Sequence, residues 1–359
     1  FEYLPLTFSR RHGDPSRPWN AFTITIRQPD GTPYLNYQGN WRDIFQNWEP
    51  LALSYPAFAV SMIAKFLNAI TADGYNPYRI TRDGIEWEVP EPDNPWSNIG
   101  YWSDHQIIYL QKLLEIAHQA DPASLSRLWG RSIFASADVP YRLAPYTEML
   151  KDWYNTVEFD WDSERKTEEA VAAIGTDGRL RQDGDGEILH ATMAEKFLVL
   201  LLAKLTNLVP EGGIWMNTQR PEWNDANNAL VGKGPSVVTT AYLRRFIVFW
   251  RARLAESAGG LYTIGEDVAN LFAEVRTILE NNRSRLERGF TNASRREVMD
   301  ALGAAATAYR TAQYGQEKSR KQSELTQRAL DDFLLLALAH VEHTLRVNRR
   351  SDALYHAYN

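Results

Sequence analysis

Three polar, aromatic-rich segments hold the residue types that could do chemistry. The most informative runs from Asn217 to Asn228, through Arg220, Glu222, Trp223, Asn224 and Asp225, and nine of its twelve residues are polar or charged. Glu222 and Asp225 are three apart, so a single helical turn would bring them side by side. Close carboxylates raise one another's proton affinity, and a neighbouring indole such as Trp223 acts in the same direction by excluding water. A carboxylic acid that keeps its proton near neutrality is what glycoside cleavage requires. The competing reading is an Asn- and Asp-rich turn whose side chains cap helices.

The second segment is Gly39 to Glu49. Within it Trp41, Arg42, Asp43 and Gln46 fall at the start of an expected helix, with Asp43 and Gln46 on one face. A guanidinium, a carboxylate and an amide at one helix mouth can hold adjacent sugar hydroxyls; helix capping with an Arg–Asp surface pair is the alternative. The third is Pro95 to Gln106, where Trp102, Asp104 and His105 precede another helix and Ser103 or Asp104 could serve as its cap. Aromatic faces beside amides and carboxylates are the usual lining of a sugar site, since the ring covers the C–H face of a pyranose while polar groups take the hydroxyls.

Two further features have plainer readings. Asp183-Gly184-Asp185-Gly186-Glu187 has the spacing of calcium ligands without the rest of a twelve-residue loop, and reads as a solvated turn. His340 and His343 lie one helical turn apart but lack a third placed ligand.

The order of the three segments resembles that of the cellobiose and chitobiose phosphorylase family, in the (α/α)6 six-hairpin glycosidase superfamily. Trp41-Arg42-Asp43-Ile44-Phe45-Gln46 is similar to its Tyr-Arg-Asp-x-x-Gln segment, Asp104-His105 to its Asp-Asp-His segment, and Glu222-Trp223-Asn224-Asp225 to its Asp-Trp-Asn-Asp signature. The resemblance implies an (α/α)6 barrel that inverts β-glycosides. Asp225 matches the general acid, and Trp223, Arg42 and Asp43 match residues lining the sugar subsite beside the cleaved bond. Glu222 stands where the family has Asp. No counterpart of the family's phosphate-binding segment is visible, so hydrolysis and phosphorolysis both stay open.

The elements that must position these segments are helices. Apolar periodicity predicts helices near 44–51, 56–69, 103–119, 123–135, 145–154, 190–207, 236–257, 265–284, 294–313 and 320–348. The loops 71–100 and 210–235 carry the polar aromatics. Strand signals are confined to the first 37 residues and 85–89. Ala258-Gly259-Gly260 reads as a turn between two helices, and the charged stretch 280–325 as a solvated helical pair on the outside. The expected fold is mainly all-α, an (α/α)6 toroid with function at one rim. An extended segment, 1–38, packs on a catalytic barrel, 39–359, and both ends look cut from a longer polypeptide.

Composition narrows the partners. Of 359 residues, 44% are hydrophobic and 12% aromatic, the formal net charge is −6, and cysteine is absent. The acidic balance disfavours nucleic acid. The absence of cysteine removes disulfides, thiolate catalysis and cysteine-ligated metals. No apolar run is long enough to span a bilayer. The expected partners are an oligosaccharide or glycoside substrate and, for phosphorolysis, inorganic phosphate, with no metal or organic cofactor. Oligomeric state and compartment stay open, the cytoplasm being slightly preferred. The expected activity is inverting general-acid cleavage of a glycosidic bond; a non-catalytic sugar-binding barrel and a helical scaffold protein are the alternatives.

Overall fold

The computed structural model describes residues 28–32, 38–76, 79–81, 84–91, 93, 106–153, 155–218, 233–256, 259–315 and 321–359, with the backbone alone at 38–47 and 106. Among these the protein is mainly helical, with small antiparallel sheets.

The first sheet joins β1 (Gln38–Asn40) to β2 (Arg79–Thr81) and β2 to β3 (Ile85–Glu86), with Asn40 opposite Arg79. Helix α1 (Trp41–Ser54) leaves β1 directly. After a 3-10 turn over Pro56–Phe58, α2 (Ala59–Ala69) buries Ala59, Met62, Ile63, Phe66 and Leu67, the spacing of a single helical face. Helix α3 (Gln106–Ala120) is followed by α4 (Pro122–Ser126), which Asp121 caps by accepting from the Ala123 N–H at 3.0 Å. The expected helix over 123–135 is therefore a five-residue helix, with turns and extended chain after it.

Strands β4 (Tyr141–Leu143) and β5 (Val157–Phe159) flank α5 (Tyr146–Lys151) and precede α6 (Trp161–Ile174). Helix α7 (Met193–Leu205) buries every residue but Glu195. A helix hydrophobic nearly all round must lie inside the body. It leads into a sheet of β6 (Leu208–Val209), β7 (Gly213–Trp215) and β8 (Pro235–Ser236). Helix α8 (Val237–Glu256), β9 (Leu261–Gly265), α9 (Glu266–Asn281), α10 (Arg285–Arg288), α11 (Asn292–Tyr314), β10 (Gln322–Thr326) and α12 (Gln327–Val347) complete the order.

Helix α12 packs on α8, α8 on α3, and α3 on α1 and α2; α7 packs on α9, α9 on α11 and α12, and α11 on α5. One continuous hydrophobic core runs from Trp48 to Leu345.

Several local expectations are corrected. Residues 322–326 form β10, paired antiparallel with β9, rather than the first turns of a helix. Gly259 and Gly260 thus lead into a strand. Strands are not confined to the N-terminal region. Nor is 280–325 a solvated pair: α11 buries Val298, Leu302, Ala305, Ala306 and Tyr309 in the core. Helix α6 gives little periodic signal because Thr167 is its one buried residue.

Candidate functional site

Trp41, Arg42, Asp43 and Gln46 lie in the first two turns of α1, where the backbone alone is described. Trp102, Asp104, His105, Arg220, Glu222, Trp223, Asn224 and Asp225 lie outside the described residues. The described residues include those that flank these segments in the chain.

The root of the 219–232 segment is buried. Asn217, 2% exposed, accepts a hydrogen bond from the Tyr75 hydroxyl at 2.9 Å, and its amide faces the Met149 sulfur at 4.0 Å. Trp215 meets the Tyr146 ring edge-on, with centroids 6.1 Å apart. On the return side, the Lys233 ammonium sits 4.0 Å above the Trp153 ring. Tyr75 precedes Arg79 by four residues, and Arg79 is the β2 partner of Asn40, the residue before Trp41. The root of the 94–105 segment is held through Glu88, whose carbonyl accepts from the Tyr141 hydroxyl at 2.7 Å. Beside it the Trp87 indole donates to Glu164 at 2.7 Å, and the Arg179 guanidinium stacks on the Trp87 face at 5.5 Å. The Tyr314 hydroxyl donates to Asp73 at 2.6 Å and accepts from the Leu143 N–H at 3.2 Å. The turn after α2 is thereby bound to β4, and a set of tyrosine hydroxyls ties the roots together.

Gly74 makes this turn possible. At φ 84° it adopts the left-handed conformation, and a Cβ there would meet the Ala203 side chain at 2.6 Å. Residues 71–76 therefore run against α7 from Lys196 toward Asn207.

At the other end of α7 the structure reveals a polar cavity of about 440 Å³, walled by α7, the start of α9 and the second half of α11. Lys196 is 2% exposed, yet its ammonium donates to the Ile70 carbonyl at 3.0 Å and to the Ser136 hydroxyl at 2.7 Å. Burial depresses its pKa to about 7, against the pull of the Glu195 charge. Burial raises Glu195 to about 6, partly offset by the Lys196 charge and an N–H from Gly265. Arg181 donates to the Gln313 side chain, and Gln313 donates to Asp267 at 2.9 Å. The Arg181 Nε is buried without a partner. The Tyr309 hydroxyl donates to the Ala72 carbonyl at 2.7 Å, and burial drives its pKa far up. Sequence reasoning passed over Glu195, Lys196 and Arg181. The available signal was an adjacent acid–base pair inside an otherwise apolar helix.

The two secondary motifs are structural. Asp183 accepts from the N–H groups of Asp185 and Glu187 at 2.9 and 3.0 Å, closing its own turn. His340 Nε2 lies 2.9 Å from the Leu279 carbonyl, and burial lowers its pKa to about 4; His343 Nε2 lies 3.0 Å from Glu211. Among the described residues no group of three or more His, Asp or Glu could hold a metal ion.

No protein-family profile matches the chain, and no curated protein matches it.

Proposed function

We propose that this chain is the catalytic domain of an (α/α)6 toroidal carbohydrate-active enzyme that cleaves a glycosidic bond with inversion. On this reading Asp225 protonates the leaving oxygen, and water or inorganic phosphate attacks the anomeric carbon from the opposite face. Glu222 and Trp223 keep that proton in place near neutrality, one through its charge and the other by excluding water. Trp41, Arg42, Asp43, Gln46, Trp102, Asp104, His105, Arg220, Trp223 and Asn224 hold the sugar. Hydrolysis requires a second carboxylate to activate water, and Glu222, Asp104 and Asp43 are the candidates.

The observation that carries the reading is the buried Tyr75–Asn217 hydrogen bond. It fixes the base of the 219–232 segment to the turn leading into β2, the strand that pairs with the residues before Trp41. A single sugar site assembled from segments about 180 residues apart in sequence would need bases joined in this way.

The test is turnover of a panel of β-linked disaccharides and aryl glycosides, with and without inorganic phosphate. The Asp225→Asn variant is expected to lose at least a thousandfold in kcat while unfolding at the wild-type temperature. A folded, active variant refutes the assignment. Turnover only with phosphate identifies phosphorolysis.

A further inference from the structure

None of the described residues lining the cavity at the N-terminal end of α7 has a role in that reading. Lys196 and Leu205 are nine residues apart, roughly 14 Å along the helix at 1.5 Å per residue, and the root at Asn217 lies beyond Leu205. The cavity therefore needs its own account.

Its walls carry Arg181, His190, Lys196 and Lys321 alongside Glu195, Glu266 and Asp267, so acidic and basic groups are mixed. A net-charged ligand of either sign would face repulsion as well as attraction. A neutral ligand rich in hydroxyl groups can use both sets, because each hydroxyl donates and accepts. Unused hydrogen-bonding capacity is present. Lys196 has three N–H groups and uses two on protein partners. Arg181 Nε has none, although the residue is 9% exposed. Glu195 is the one residue of α7 that is not buried. Burying Lys196 and Arg181 is costly unless something satisfies their remaining N–H groups. Tyr309 and Val199 add apolar wall, and the hydrogen bond to Ala72 holds the tyrosine ring in place. The volume lies within the range of pockets that enclose small organic ligands.

We propose that this cavity binds a neutral polyhydroxylated ligand of one or two sugar rings, with Glu195 accepting and Lys196 and Arg181 donating hydrogen bonds to its hydroxyls. The inference rests on the cavity walls and not on the glycosidase reading.

The test is calorimetric titration of the full chain with glucose and cellobiose, alongside gluconate and glucose 6-phosphate as charged counterparts. Neutral sugar is expected to bind, and the charged counterparts at least tenfold more weakly. Glu195→Gln, which keeps shape but removes charge, and Ala191→Phe, which fills the cavity, should each weaken the same binding event at least tenfold. Asp225→Asn should leave that event intact, so failure here and failure of the catalytic reading are separable. Neutral-sugar binding unchanged in folded Glu195→Gln overturns the proposal. So does tighter binding of a charged counterpart, or no neutral-sugar binding at millimolar concentration. Should Ala191→Phe fail to fold, Glu195→Gln decides alone.

Discussion

Glu195 and Lys196 are neighbours whose protonation equilibria are moved in opposite directions by the same cause, loss of water around their charges. For Glu195 the folded-state pKa, about 6, lies above its ordinary 4.5. The native state then holds more protons than the unfolded chain between those values, so stability falls as pH rises through that window. Glu195→Gln abolishes this dependence. Its stability relative to wild type should climb from pH 4.5 to about 6.5 and level off, a change on the order of 2 kcal/mol. Denaturant melts at pH 4.5, 5.5 and 7 measure it, and a pH-independent difference contradicts the assignment. A second residue-scale case is Glu211, which sits at φ 64° in the β6–β7 turn. Burial opposes its charge, but Arg295, His343 and the Phe290 N–H together hold its carboxyl below its ordinary range. Glu211→Ala removes the shared acceptor and leaves those groups unsatisfied, with an expected loss of about 3 kcal/mol. A shift of the denaturant midpoint with an unchanged slope would record it.

At the scale of elements, the contact between α5 and α11 depends on one missing side chain. A Cβ at Gly303 would lie 2.3 Å from the Tyr146 ring, and Tyr146 is pinned by its hydroxyl, which donates to Asp300 at 2.7 Å. Alanine favours a helix interior over glycine by about 1 kcal/mol. Overpacking a fixed ring costs about 1–3 kcal/mol. The clash with ring atoms next to the Tyr146 backbone exceeds the gain, so Gly303→Ala is expected to lower Tm by a few degrees. A variant as stable as wild type would mean that α5 can shift. Capping supplies the other element-scale determinants. Thr192, Thr291 and Thr326 each accept the N–H three residues on at the start of α7, α11 and α12. Apolar periodicity placed these starts near 190, 294 and 320 without the caps, and the last of them falls before β10; the start of α6 at Asp160 is marked by a cap without a following apolar stripe.

At the scale of the molecule, residues 357–359 pack back on the start of α8. The Ala357 carbonyl accepts from the N–H groups of Val237 and Val238, the first residues of α8, at 2.9 and 3.2 Å. Tyr358 bridges to Ser236, the Asn359 N–H donates to the Pro235 carbonyl at 3.1 Å, and its side chain donates to the Gly212 carbonyl at 2.7 Å. Residues 357–359 therefore cap α8 and bridge to β8 at the edge of the β6–β7–β8 sheet. Removing residues 355–359 is expected to cost about 2–4 kcal/mol, on the order of 1 kcal/mol for each hydrogen bond lost. On the proposed glycosidase reading it should also reduce glycoside turnover. Thermal unfolding and turnover of the shortened chain check both parts. No helix among the described residues is long and apolar enough to cross a membrane.

The helical character of the chain was determined by the sequence itself. Apolar residues at 3.6-residue spacing mark α2 and α9, and an almost unbroken apolar run marks α7, because each pattern lies within one element. The pairing of β9 with β10 was not legible. Gln-Ser-Glu-Leu-Thr has no strong strand signal, and it becomes a strand because Leu261–Gly265, about 60 residues away, offers it a backbone ladder. The polar cavity was hidden for the same reason. Glu195 and Lys196 are visible as charges in an apolar helix, but only the folded arrangement brings Ile70, Ser136, Arg181 and Asp267 around them. Periodicity is local along the chain; what a buried charge meets is decided by partners distant in sequence, and that the tertiary structure alone supplies.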